Sequence, residues 1–327
     1  MHRSRLSAVL AAFVALVVVA SGCGVTRDSD DPSNRRLRMM IPNSAGGGYD
    51  LTGRAAVRAL EDNDLTGRFE VTNVTGASGT VAMQRLLNEE GADDLVMTMG
   101  LGVVGAVYTN RSDATPTKMT PIARLIEEQE GILVPADSPF DTIDDLVAAW
   151  QDDPESVVVG GGSSPGGPDH LFPHQLAAEV GIDPTDVNYI VYDGGGPLTA
   201  ALLGEKIDVG MSGLGEFAGQ IENGDLRVLA VSGEERLEGI DAPTLTEAGV
   251  DLVFTNWRGV LAPPGISDEQ IDYLIELFTE MHETDEWQEA LADNGWIDSF
   301  ATGDEFAAFL EEQDRRVADT LKELGLS

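Results

Sequence analysis

Apolar residues along this chain alternate between two textures. Short runs at Leu37–Ile41, residues 68–74 and residues 94–99 read as strands. Between them the spacing changes to helical, first through Leu51, Ala55, Ala56, Ala59 and Leu60, then through Val81, Met83, Leu86 and Leu87. The middle of the chain restarts the pattern, with strands at residues 131–135, 156–160, 188–192, 208–211 and 227–231. Thr142-Ile143-Asp144-Asp145 resembles a capping box opening a helix to Trp150, and a further helix carries Phe172, Leu176 and Val180 before stopping at Gly181. The tail is more helical. An apolar, aromatic stretch at residues 252–263 holds Trp257 and Arg258. After it come a helix capped by Ser267, a short one through Trp287 and Leu291, and a last one opened by Thr302-Gly303-Asp304-Glu305. No repeat at solenoid period is present. Strand–helix alternation predicts an α/β fold with a parallel-rich sheet.

The junctions between strands and helices are built from glycine and serine. After the first strand comes Pro42-Asn43-Ser44-Ala45-Gly46-Gly47-Gly48-Tyr49-Asp50, leading into a helix that Asp50 is suited to cap. Glycines turn the backbone sharply and leave N–H groups uncovered at the positive end of the helix, the make-up of an anion site. A tight turn with no ligand is the plain alternative. A second such loop is Thr75-Gly76-Ala77-Ser78-Gly79-Thr80, and a third begins at Gly100. In the second half they recur at residues 161–168, at Asp193-Gly194-Gly195-Gly196 and at Ser212-Gly213-Leu214-Gly215-Glu216. Ligands of open α/β sheets sit at the carboxyl ends of strands, where these loops fall.

The first residues change the picture. Arg3 and Arg5, an apolar run over residues 6–20, then Ser21-Gly22-Cys23 make a secretory leader. Cys23 is the only cysteine, so no internal disulfide forms. Its setting resembles the lipobox of bacterial lipoproteins, in which the cysteine is lipidated and becomes the first residue. Residues 1–22 are then the signal peptide, and 23–36 a lipidated cysteine with a flexible tether. No later segment is apolar enough to span a bilayer. The 57 acidic against 20 basic residues, a net charge of −37, argue against nucleic acid as a partner, since phosphate binding needs basic patches.

Taken in order, the motifs resemble the substrate-binding proteins of tripartite tricarboxylate transporters, the Bug family. The matches are Pro42 through Gly46-Gly47 to Asp50 and Arg54; Asn73 through Gly76-Ala77 and Gly79; Gly162-Ser163-Ser164 with Gly166 and His170; Tyr192-Asp193-Gly194-Gly195; Leu229-Ala230-Val231 with Arg236; residues 243–249; and Trp257 with Pro263-Pro264-Gly265. The first loop lacks the family's second proline, Tyr49 replaces a small residue, and Asp193 replaces a common lysine. The resemblance implies a periplasmic-binding-protein type II fold, with lobe 1 from residues 37–130 and 254–327, lobe 2 from 131–253, and crossings near Glu130 and Phe254. It implies a small di- or tricarboxylate held in the interlobe cleft. The loop Asn43, Ser44, Ala45, Gly46, Gly47, Gly48, Tyr49 and Asp50, with Gly76, Ala77, Ser78 and Gly79, would grip one carboxylate. Gly100, Ser163, Ser164, Gly166, His170, Tyr192, Asp193, Gly194, Gly213 and Glu216 would supply the remaining contacts. It also implies a monomeric, lipid-anchored extracytoplasmic receptor that closes on its ligand and delivers it to large and small integral-membrane subunits, without a cofactor and without catalysis.

Three other chemistries find partial matches in the chain. Gly100-Leu101-Gly102-Val103-Val104-Gly105 fits a dinucleotide fingerprint, but an exported chain rarely meets free nucleotide cofactor. His170 and His174 stand four apart beside Asp169, yet Pro173 intervenes and no HExxH motif is present. His170 is expected at the cleft wall or helix start, and His174 partly exposed. Ser163, His170 and Asp193 could be assembled into a secreted esterase, although no G-x-S-x-G elbow occurs.

Overall fold

The strands come in two sets joined by one long member. The computed structural model describes residues 35–192 and 194–326. Its strands are β1 (Leu37–Ile41), β2 (Phe69–Asn73), β3 (Leu95–Gly100), β4 (Thr120–Pro135), β5 (Val159–Gly161), β6 (Tyr189–Val191), β7 (Val209–Gly213), β8 (Leu226–Val231), β9 (Thr255–Ala262) and β10 (Ile297–Thr302). They run in the order β2-β1-β3-β9-β4-β7-β5-β6, with β8 and β10 also on β4. Within each half the outer strands are parallel: β1 lies between β2 and β3, and β5 between β6 and β7. The strands near the middle, β4, β8, β9 and β10, pair antiparallel, so the sheet is more mixed than the sequence alternation implies.

The centre of the fold is β4. From Thr120 to Gln129 it pairs with β9, and from Glu130 onward with β7 and β8. Residues 120–130 carry no strand signal in sequence, because polar residues interrupt the run. Their backbone is nevertheless paired, with β9 along residues 120–129 and with β10 along 123–127. Ser232 ties β4 to the segment just before β9. Its N–H donates to the Glu130 carbonyl at 3.0 Å, and its hydroxyl donates to the Phe254 carbonyl at 2.6 Å. The result is a two-lobed α/β fold with a mixed sheet curled around a cleft.

Local expectations meet mixed outcomes. The Thr142–Asp145 capping box is formed, and Ser267 accepts from the Gln270 N–H. Thr302 makes no side-chain cap, despite a suitable pattern. The helix Gly48–Asp62 is capped by Gly47 and not by Asp50, which lies inside the first turn. Leu51 is 49% exposed and Val81 39%, so neither belongs to its helix's buried face. Gly100 to Gly105 does not continue as a loop: a helix, Leu101–Thr109, starts at once. Its glycines serve close packing. A Cβ on Gly102 would stand 3.0 Å from the Tyr49 hydroxyl, and one on Gly105 would overlap the backbone of Gly166.

Candidate functional site

A cavity of about 990 Å³ opens between the two sets of strands, lined by the first loop on one side and the loops after β5 and β7 on the other. The loop after β1 is held from behind. Asp50 Oδ2 accepts from the Gly46 N–H at 2.9 Å, while Oδ1 accepts from Asn73 at 2.9 Å and Arg54 at 2.8 Å. Burial by itself would raise the Asp50 carboxyl, but these donors outweigh it and hold it below the usual carboxylate range. Asp50 thus shapes the loop and is absent from the cavity lining. Gly46 has φ +83°, and the helix begins with the N–H groups of Gly48 and Tyr49, which have no partner inside the helix.

The loop after β5 repeats this geometry. Gly166 has φ +87°, Gly167 caps the helix Pro168–Glu179 with dihedrals within a few degrees of those at Gly47, and Gly167 N–H donates to Ser164 O as Gly47 N–H does to Ser44 O. His170, four residues after Gly166 as Asp50 is four after Gly46, takes the equivalent place, its Nδ1 accepting from the Gly166 N–H at 3.4 Å. Asp169, one residue earlier, braces the loop after β5: it accepts from the Gly162 N–H at 2.8 Å and the Ser163 hydroxyl at 3.0 Å. Here burial prevails over the donors from Ser212, Gly162 and Ser163, and the carboxyl is raised. In the loop after β6, the Gly195 N–H donates to Glu216 at 2.7 Å.

The second loop, after β2, is the most strained segment. Gly76, Ala77, Ser78 and Gly79 all have positive φ, two of them with a Cβ. Such conformations cost roughly 1–3 kcal/mol each and concentrate at ligand sites. Only Ser78 of this loop reaches the cavity, because Gly79 is pressed against Val103 and Pro42.

Of the residues expected from sequence, Asn43, Ser44, Gly46, Gly47, Gly48, Tyr49, Ser78, Ser163, Ser164, Gly194, Gly213 and Glu216 line the cavity. Ala45, Asp50, Gly76, Ala77, Gly79, Gly100, Gly166, His170 and Tyr192 stand outside the lining. Gly100 is covered by the Trp257 carbonyl and the Tyr49 ring, and Gly166 faces Gly105. His170 is buried behind the loop, its ring 4.5 Å from that of His174 and 5.2 Å from that of Tyr189. Burial, then His174, pushes its imidazole down to about 4. His174 is buried as well, and its Nδ1 lies 2.6 Å from the His170 carbonyl. The Ser163 hydroxyl bonds to Asp169, while His170 Nδ1 accepts from the Gly166 N–H, so Ser163 and His170 are not paired with each other. Asp193 and Cys23 lie outside the described residues. Trp257 is core, packed edge-on against Phe306 and Phe309.

The structure adds residues that sequence reasoning missed. Glu128 and Glu130, two apart on β4, both reach the cavity, as do Asp169, Glu238 and Asp293. Arg258 is the one cation among the described lining residues. It sits beneath Gly48, bonds to the Thr52 hydroxyl at 3.2 Å and pairs closely with Glu128, which also accepts from the Trp296 indole. In sequence Glu127-Glu128-Gln129-Glu130 is an unbroken polar run without strand periodicity, so nothing local marked Glu128 and Glu130.

Comparison with known proteins agrees with this architecture. BugT of Bordetella pertussis is 26% identical over 339 residues, covering 99% of both chains. A ligand-free TctC solute-binding protein from Polaromonas superposes with TM-score 0.74 at 26% identity, over 89% of this chain and 99% of that one. An R. palustris protein with adipate superposes with TM-score 0.74 at 21% identity, over 89% and 97%. The family described as tripartite tricarboxylate transporter family receptor matches residues 58–326. With most of its length matched and its two-lobed fold shared, this chain belongs to the tripartite tricarboxylate transporter receptor family.

Proposed function

We propose that the chain is an extracytoplasmic receptor that captures a small carboxylate in its cleft and passes it to the integral-membrane subunits of a tripartite tricarboxylate transporter. The observation that carries this reading is the first loop: a helix start whose uncovered N–H groups face a cavity large enough for a di- or tricarboxylate. The adipate held by the R. palustris protein of the same fold supports an organic acid as ligand. The carboxylate meets the Asn43–Tyr49 side, and the second lobe supplies the distal contacts. Closure of the lobes over the ligand would give the membrane subunits a face to recognise. Cys23, lipidated, would tether the receptor to the membrane as a monomer.

A thermal-shift screen of organic acids tests the reading. A ligand at 100 times its Kd stabilises the native state by about 2.7 kcal/mol. Stabilisation by carboxylates, lost in their methyl esters, is expected. A library without one stabilising acid overturns the reading.

A further inference from the structure

The two lobes repeat one loop but dress it oppositely, and this bears on the far end of the ligand. In the first lobe the helix starts with Gly48 and Tyr49, both N–H donors. In the second lobe the same position is Pro168, which has no N–H, and the next N–H, of Asp169, already donates to the Ser163 hydroxyl at 2.9 Å. The Gly162 N–H is taken by Asp169, and the Gly195 N–H by Glu216. Protein carboxylates therefore occupy the donors that a second ligand carboxylate would need.

The wall has the same character. Glu128, Glu130, Asp169, Glu216, Glu238 and Asp293 line the cavity, and the lone guanidinium, Arg258, is engaged by Glu128. Glu130 is decisive. It is 0% exposed, belongs to the cavity wall, and neither carboxyl oxygen has a hydrogen-bond partner among the described residues. A buried polar group without a partner is costly, so each one in a native structure calls for a physical reason, and a bound partner is one such reason. Burial, with Asp169, Glu128 and Glu216 nearby, pushes its carboxyl well above the usual range. A carboxyl held in this direction can pass its proton to the lone pair of an incoming amine, leaving a carboxylate against an ammonium. Among the described residues no three side chains converge as a metal site needs. An ammonium, with up to three N–H donors, suits dispersed acceptors better.

We propose that the ligand is a zwitterion: its carboxylate rests on the first-lobe loop and its cationic nitrogen on a second-lobe subsite centred on Glu130. This rests on the carboxylate reading above and deepens it. The test is titration calorimetry on the folded protein with matched sets: 4-aminobutanoate, succinate and butanoate, with the shorter and longer homologues of each and the corresponding α-amino acids. In the best-binding set the amine is expected to bind at least tenfold tighter than the dicarboxylate. Glu130→Gln, near-isosteric and neutral, is expected to abolish that preference while butanoate-type binding persists. Glu216→Gln, at the rim of the same subsite, is expected to reduce it. Circular dichroism checks that both variants fold. Tighter binding of the dicarboxylates, or an amine preference unchanged in Glu130→Gln, overturns the zwitterion and leaves the carboxylate reading standing. Dicarboxylate binding that appears only with added Mg²⁺ or Ca²⁺ transfers the positive charge to a metal and also overturns it. Absence of heat from every compound overturns both readings together.

Discussion

Replacing Gly105 by Ala sets local helix propensity against tertiary packing. Gly105 lies within the helix Leu101–Thr109, where Ala is favoured over Gly by about 0.8–1 kcal/mol. Against this, a Cβ there would meet the Gly166 carbonyl carbon at 2.5 Å and its Cα at 2.8 Å, with the carbonyl oxygen nearer still. These are backbone atoms of the loop after β5, so no rotamer relieves the overlap. The loop must retreat by roughly 1.5 Å to reach ordinary contact, and forced overpacking of this kind costs about 1–3 kcal/mol. Packing wins, and a net loss of about 1–2 kcal/mol is expected. In a chain of this length that lowers Tm by roughly 2–4 °C. Gly196→Ala is the control: it sits in the helix Gly195–Leu203 with nothing within 4 Å of its added Cβ, so propensity acts alone and stability should rise slightly. Urea denaturation of both variants decides the matter. Since Gly166 belongs to a cleft loop, ligand affinity should also fall in Gly105→Ala and not in Gly196→Ala. A Gly105→Ala protein as stable as the wild type, or more so, would falsify the close interlobe approach.

Gly47→Val, whose Cβ would meet Asn43 Cγ at 3.1 Å, should weaken ligand binding at least about tenfold without unfolding the protein, whereas Arg58→Ala on the exposed face should leave it unchanged. Calorimetry showing normal binding by Gly47→Val and none by Arg258→Lys would mean that a side-chain ion pair, not the backbone, holds the carboxylate. His170, pushed down to about 4, and His174, lowered by burial, stay neutral in the native state while their unfolded counterparts protonate. Their stabilisation is complete above about pH 6.5 and is lost as pH falls towards 4, by roughly 3 kcal/mol for His170. Glu130 and Asp169, raised by burial, act in the opposite sense, so the check is thermal unfolding of His170→Phe beside wild type at pH 7.5 and 5. The variant should lose less stability on acidification, and an equal loss would count against a buried neutral His170. Finally, Cys23→Ser should release the protein from membranes on fractionation, unless the wild type is already free.

What the chain's own order determined is whatever depends on neighbours a few residues away. Helical spacing located most helices, and Gly46-Gly47-Gly48 after an apolar run located an anion-ready loop, because a turn and a helix start are set by adjacent backbone dihedrals. The ordered motifs, each weak alone, pointed to the receptor family for the same reason. The tertiary structure decided what arises from long-range pairing. Glu128 and Arg258 are 130 residues apart and meet only because β4 pairs with β9. Likewise, the packing of the helix Leu101–Thr109 against the loop after β5 explains why Gly105 carries no side chain. Asp50 and His170 looked like ligand contacts from their motifs, but burial turns Asp50 to bracing its loop and His170 towards His174 and Tyr189. Most consequential is Glu130. In sequence it is one acid among 57, and only the fold seals it from water without a partner among the described residues, because its neighbours in space are not its neighbours along the chain.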